Sequence, residues 1–192
     1  MKINTVNILR FAILALFIGA TIFFYSSSPE EIIRFIGIEN AYALMFVLAL
    51  IGGLTTFSGI PYHVVLIMLA SGGLDPLFLG ISTAVGVMIG DTTSYYLGYS
   101  ERGIVPQRVQ RILQRFFNFC LAHQKILPIA FFLYGALSPL SNDFIAVSMG
   151  LARYPFWRVI VPLGLGNLVF NISLAYLAVH AYDILRNTFL YM

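Results

Sequence analysis

Charge is what this chain has least of. Asp, Glu, Lys and Arg make up 10% of its 192 residues, against 59% hydrophobic residues. A soluble domain carries roughly 25% charged and about 45–50% apolar residues. A globule of this length leaves much of its surface in water, so it has nowhere to hide so many apolar side chains. Disorder is excluded by the same scarcity, because disordered chains are polar and short of aromatics, and this one has 17 Phe and 11 Tyr. Its one cysteine, Cys120, excludes a disulfide framework and a Cys-based zinc site. Phosphate-loop, dinucleotide and metal-cluster motifs are missing, so no cofactor or metal is expected. A net charge of +3 points to no nucleic-acid partner. The composition suits a bilayer.

What is there is a series of apolar runs with punctuation. A membrane-spanning helix needs about 20 mostly apolar residues, and Ile8 to Tyr25 supplies one, read as a retained first helix rather than a signal peptide. Pro29, Glu30 and Glu31 then carry helix-start chemistry, and the residues after them suit a short surface helix. From Ala41 to Tyr99 the chain is apolar but broken at Gly52-Gly53, at Thr55 to Pro61 and at Gly72 to Pro76. Pro61 to Leu74 is short for a crossing, so a hairpin that enters and returns is expected, followed by a span from Gly80 to Tyr99. Residues 101–125 alternate basic with apolar side chains, a surface-lying amphipathic pattern. A second short run, a break at Ser138 to Asp143, a return and a span from Phe156 to Ala181 follow.

The order of parts repeats. Pro61 and Pro139 lie 78 residues apart, and Pro76 and Pro155 lie 79 apart. With a cytoplasmic N-terminus and two re-entrant hairpins, nine of the eleven basic residues fall on the cytoplasmic side, as the positive-inside rule expects. Glu30, Glu31, Glu39, Asp75 and Asp183 fall on the other. The expected fold is therefore an all-α integral membrane protein. It is an inverted repeat of two re-entrant helical hairpins, each followed by a transmembrane helix, with an N-terminal transmembrane helix and amphipathic surface helices added. Residues 1–40 form the N-terminal part and 41–182 the membrane domain, with halves at about 41–99 and 126–182 and a basic linker at 101–125. Inverted repeats hold substrate where broken helices meet.

Ionisable side chains at that depth are functional candidates by default. Asp91 falls within the span after the first hairpin, Asp143 at the second break and His63 just after the first. Facing breaks would bring His63 and Asp143 within proton-exchange range, and imidazole titrates near neutrality. The bland alternative has the two aspartates capping helix ends or bonding Thr92, Thr93 and Ser94. Ser58, Pro61, Ser138, Pro139, Ser141 and Asn142 at the breaks, with Asn167 and Asn171 on the last span, are substrate-binding candidates, because half-helix N-termini attract anions such as phosphate. Ser58 with His63 or His180 would be a serine–histidine pair, but three crossings enclose too little for an intramembrane protease. Catalysis is not expected.

Gly90-Asp91-Thr92-Thr93-Ser94-Tyr95-Tyr96-Leu97-Gly98 resembles the G-D-x-x-x-Y-x-x-G signature of the DedA family, also called the SNARE-associated or VTT-domain family. Met149-Gly150 followed by Tyr154-Pro155-Phe156-Trp157 is similar to that family's corner after its second hairpin. The resemblance in order of parts runs from about Ala41 to Ala181. It implies two facing re-entrant hairpins and an activity like that of lipid scramblases or flippases, with bacterial members linked to polyprenyl-phosphate carriers and proton-coupled transport. The first break here lacks the family's usual acid and the second its arginine; Asp143 stands where the cation is usual. Arg153 and Arg158 remain as candidates to meet a headgroup at the cytoplasmic mouth. The expectation is a plasma-membrane transporter of a prokaryote that moves a phospholipid or polyprenyl-phosphate carrier between leaflets. Its partners would be membrane lipids and a lipid-linked phosphate, and a homo-oligomer is compatible. A small-solute or ion transporter, or a non-transporting membrane organiser, are the alternatives.

Overall fold

Punctuation residues set the helix boundaries. The computed structural model describes residues 29–54, 62–101, 115, 118, 122, 124–138 and 141–190. Within them run α1 (Pro29–Ile36), α2 (Ile38–Leu54), α3 (Tyr62–Ser71), α4 (Pro76–Glu101), α5 (Leu127–Leu137), α6 (Asp143–Ala152) and α7 (Trp157–Leu190). The α1 helix opens on Pro29 with Glu30 and Glu31 in its first turn and Arg34 in its last, each sign placed where the helix dipole favours it. Gly37, at φ 86°, separates it from α2. Asp75 caps α4: its Oδ1 accepts from the Leu77 and Phe78 N–H groups at 2.9 and 3.0 Å, with Pro76 at the first helical position, where its missing N–H costs nothing. Asp75 is thus a structural cap.

Two groups of three helices follow one another, α2–α3–α4 and α5–α6–α7. In the first, α2 lies along α4 and runs parallel to it. Ser82 Oγ donates to the Tyr42 carbonyl at 2.9 Å, Gly86 sits against Phe46 and Leu50, and Gly90 against Gly53. The α3 helix then leads back to Leu74 and Asp75, whose N–H donates to the Tyr42 hydroxyl at 3.0 Å. So α2 and α3 leave and return at the same end of α4. In the second group, α6 runs parallel to α4. Asn142 bonds Asp91 and Asp143 bonds Ser94, Val147 lies against Gly98, and Gly150 against Tyr95 and Tyr99. The α6 helix therefore starts at mid-length of α4 and ends near its C-terminus. The α7 helix crosses α4 antiparallel, with Ile172 at Gly80 and Met88 at Gly164.

The two groups share local detail. Gly86 meets the Phe46 carbonyl and Leu50 N–H one turn on; Gly166 meets the Phe132 carbonyl and Ala136 N–H in the same way. The α3 and α6 helices end in the same Schellman turn. Gly73 N–H donates to Ala70 and Leu74 N–H to Leu69, at 3.2 and 3.3 Å; Arg153 N–H donates to Gly150 and Tyr154 N–H to Met149, at 2.9 and 3.0 Å. In both turns the residue after the cap is buried, Leu74 at 4% and Tyr154 at 0% exposure, packing into the same apolar cluster as the helix it closes. The corresponding positions lie 80 residues apart. Gly73 takes φ 97° freely, whereas Arg153 takes φ 55°, a left-handed conformation that costs an L-residue about 1–2 kcal/mol.

Two helical stretches, Pro76–Ser100 and Trp157–Ile184, are long and apolar enough to cross a membrane. Both are longer than the expected spans: Asp75 starts α4 early, and α7 runs on past Ala181 and through Pro162. Roughly half of each is buried, and the outward faces remain apolar, with Phe78, Val85, Leu97, Leu165 and Leu177 exposed. The first membrane group also starts earlier than expected, at Ile38 rather than Ala41. The expected span Ile8–Tyr25, Ser58, Pro61, Pro139 and most of the basic linker lie outside the described residues.

Glycine contacts of this kind predict a contrast. A Cβ on Gly150 would overlap the Tyr95 carbonyl, whereas one on Gly73 meets nothing within 4 Å. Gly150→Ala is expected to lose about 3 kcal/mol through overpacking against backbone, and Gly73→Ala about 1 kcal/mol through its positive φ alone. Thermal unfolding in detergent, followed by circular dichroism, checks both.

Candidate functional site

The end of α2, the start of α6 and the middle of α4 converge on two carboxyl groups. Gly90 has no side chain, so the α4 backbone closes on Gly53 of α2. One residue later comes Asp91, and one turn later Ser94. Asn142 stands at the N-cap position of α6 without a side-chain capping bond, and Asp143 is the first residue of the helix. Asn142 Nδ2 donates to Asp91 Oδ2 at 3.2 Å. Ser94 Oγ lies 2.7 Å from Asp143 Oδ1 and 3.3 Å from the Gly53 carbonyl oxygen. Ser141 Oγ donates to Asp143 Oδ2 at 2.7 Å. Asp91 and Asp143 are 2% and 1% exposed, Ser94 3% and Asn142 7%. Asn142 and Asp143 are adjacent, so the bond from Asn142 to Asp91 brings the two carboxyls to one place, and among the described residues neither has a cationic partner.

Ser94 has one hydroxyl hydrogen and two acceptors in reach, Asp143 Oδ1 and the Gly53 carbonyl oxygen, so its bond to the start of α6 and its tie to the end of α2 compete for it. Burying two carboxyl groups side by side, with no cationic partner among the described residues, is costly, and the hydroxyl and amide donors of Ser94, Ser141 and Asn142 offset part of that cost.

The expected site residues are only partly brought together. Asp91, Ser141, Asn142 and Asp143 meet, but His63 hydrogen-bonds neither carboxylate. Its ring lies 4.0 Å from that of Tyr62 and edge-on to Phe170 at 5.4 Å. Its neighbour Tyr62 turns toward α2 instead, with its ring over Gly52 beside the Gly53 contact. Thr92 and Thr93 bond carbonyls of their own helix and leave the aspartate free of them. Ser138 caps the C-terminus of α5. On α7, Asn171 Nδ2 donates to Asn167 Oδ1 and to its carbonyl, at 2.6 and 2.8 Å. Asn167 Nδ2 and Asn171 Oδ1 are buried without a partner among the described residues. Exchanging O and N in either amide would set like against like. Arg153 and Arg158 sit apart, at the C-terminal end of α4, where Arg153 stacks over Tyr99 and Arg158 donates to Gln124.

Ser94 and Tyr62 were not among the expected site residues. Ser94 was legible, since a residue three positions after Asp91 shares its helix face; Tyr62 was hidden by the adjacent His63. Ser94→Ala is expected to destabilise the protein by about 2 kcal/mol, the loss of a hydrogen bond to a buried carboxyl. Thr93→Ala, at an exposed position, should stay within about 0.5 kcal/mol of the parent. Equal losses in detergent unfolding would contradict the bridging role. No family model matches the chain, and no curated protein or solved structure matches it.

Proposed function

We propose that this is a membrane transporter of the DedA type, an inverted repeat whose two hairpins are re-entrant. It moves a phospholipid or a polyprenyl-phosphate carrier between leaflets and couples that movement to protons. The observation that carries this reading is the buried Asp91–Asp143 pair at the point where the end of α2 and the start of α6 meet on α4. A pair of acids without a cation destabilises a folded protein, and in a membrane such groups mark proton and substrate pathways. The matched Schellman turns and the matched glycines Gly86 and Gly166, both 80 residues apart, support the repeat. Support for the re-entrant hairpins is that each leaves and returns at one end of its group. The apolar outer faces of α4 and α7 support the membrane setting.

The orientation follows from charge. Lys125, Arg153 and Arg158 lie toward the C-terminal end of α4, and Glu30, Glu39 and Asp75 toward its start. The basic end faces the cytoplasm of a prokaryotic cell on this reading. The lipid headgroup passes beside the carboxyl pair while its tails stay in the bilayer, and a proton taken up by the pair alternates the tie between α2 and α4.

Reconstituted vesicles test the proposal. Purified protein is expected to speed exchange of fluorescent phospholipid or polyprenyl phosphate between leaflets, with a rate that changes with pH. Asp143→Asn and Asp91→Asn should each slow exchange at least about tenfold, the scale of a lost acid–base group, and Asp143→Asn should flatten the pH profile. Exchange no faster than in empty vesicles would sink the reading.

A further inference from the structure

We propose that the buried amides of Asn167 and Asn171 on α7 hold an internal water molecule, the neutral counterpart in the second helix group of the acid site on α4. The inference rests on the repeat in the reading above and adds a second polar site to it.

Two unserved atoms supply the first observation. Asn171 Nδ2 donates to Asn167 Oδ1 at 2.6 Å and to the Asn167 carbonyl at 2.8 Å, which fixes how both amides are turned. Asn167 Nδ2 is left as a donor and Asn171 Oδ1 as an acceptor, each buried and without a partner among the described residues. The two residues are 3% and 0% exposed. Leaving such atoms unbonded is costly, and buried polar groups are served by protein or by ordered water.

A donor beside an acceptor also selects what binds. An anion would set its oxygens against Asn171 Oδ1, and a cation would meet the N–H hydrogens of Asn167. The pair therefore does not suit the anion expected of it from the sequence. A hydroxyl, which accepts from one atom and donates to the other, fits both. Water is the hydroxyl small enough for a place closed to solvent.

The register of the two groups supplies the second observation. Gly86 on α4 and Gly166 on α7 make matching contacts with a neighbouring helix, and five residues after them stand Asp91 and Asn171. Asn142, which donates to Asp91 from the start of α6, corresponds 80 residues earlier to Tyr62 at the start of α3. The Tyr62 ring lies over Gly52, and His63 sets its ring against Phe170. The start of α3 thus reaches α7 beside Asn171 without serving its oxygen. Gly135, near the end of α5, packs on the backbone N of Asn167. The end of α5 and the start of α3 meet on α7 at amides, as the end of α2 and the start of α6 meet on α4 at acids. A water supplies the donor that Tyr62 does not.

Millisecond X-ray radiolysis of the full chain in detergent tests the site, because hydroxyl radicals made from a bound water oxidise the side chains around it. Mass spectrometry then compares Leu163, one turn before Asn167 on the same helix face, with Leu69 on α3. Both are 0% exposed, so bulk water reaches neither. The parent protein is expected to label Leu163 severalfold more than Leu69. Replacing both amides, Asn167→Leu with Asn171→Leu, should bring Leu163 down to the level of Leu69 in protein that circular dichroism reports as folded. Ser173→Ala, at an exposed position of the same helix, should leave the labelling unchanged. Equal labelling of Leu163 and Leu69 in the parent overturns the water site and needs no variant; undiminished labelling in the double variant overturns it too. The readout involves no lipid, so the two readings fail separately. Vesicles without leaflet exchange sink the transport proposal, whereas an unlabelled Leu163 beside normal exchange sinks this one.

Discussion

The contact of Gly90 with Gly53 is the constraint on which the site depends. Two helix backbones touch there, and a methyl group on either residue would meet main-chain atoms. Similar approaches occur at Gly98 and Gly150, between α4 and α6, and at Gly135 and Gly166, between α5 and α7. Lipid tails are as apolar as leucine, so helices in a bilayer gain little from burying apolar surface against one another. They gain from close packing, which small residues permit. The glycines of α4 bring α2 in on one side and α6 on the other. Asp91 and Ser94 share the stretch of helix between those two contacts, which is why the end of α2 and the start of α6 meet at acids.

That meeting point has a chemical consequence. Backbone packing holds the carboxyls together whether or not their charge state favours it, and Ser94 links Asp143 to the Gly53 carbonyl with a single hydrogen to share. On the proposed reading, a proton taken up by the carboxyl pair redirects that hydrogen. The same change alters how firmly the hairpin arm α2 is held to α4, and so how readily a headgroup passes.

Much of the architecture was legible in the residues. Gly72 to Pro76 marked the break before α4, though the span was expected from Gly80 and starts at Pro76; Ser138 to Asp143 marked the break between α5 and α6, and the proline spacings of 78 and 79 residues came close to the 80-residue correspondence of the Schellman turns. The acids Asp91 and Asp143 stood out because charge is so rare. Their pairing with each other did not. Sequence order ranked His63 as the partner of Asp143, since both follow a break. The partners come from α4 instead, because its glycine contacts bring Asp91 and Ser94 against the start of α6. A three-residue spacing pointed to Ser94, but only the glycine contact between helices gives its hydroxyl two acceptors. The corresponding roles of Gly73 and Arg153 were likewise invisible, because unlike residues fill equivalent positions.

The carboxyl pair is the centre of the account, and infrared difference spectroscopy reads it directly. A buried protonated carboxylic acid gives a C=O stretching band distinct from that of ionised carboxylates, and that band moves on deuterium exchange. The account predicts such a band near neutral pH in the parent protein, lost in Asp143→Asn and shifted in Ser94→Ala. If no protonated-acid band is present and both aspartates are ionised across the accessible pH range, the proton-holding site is contradicted.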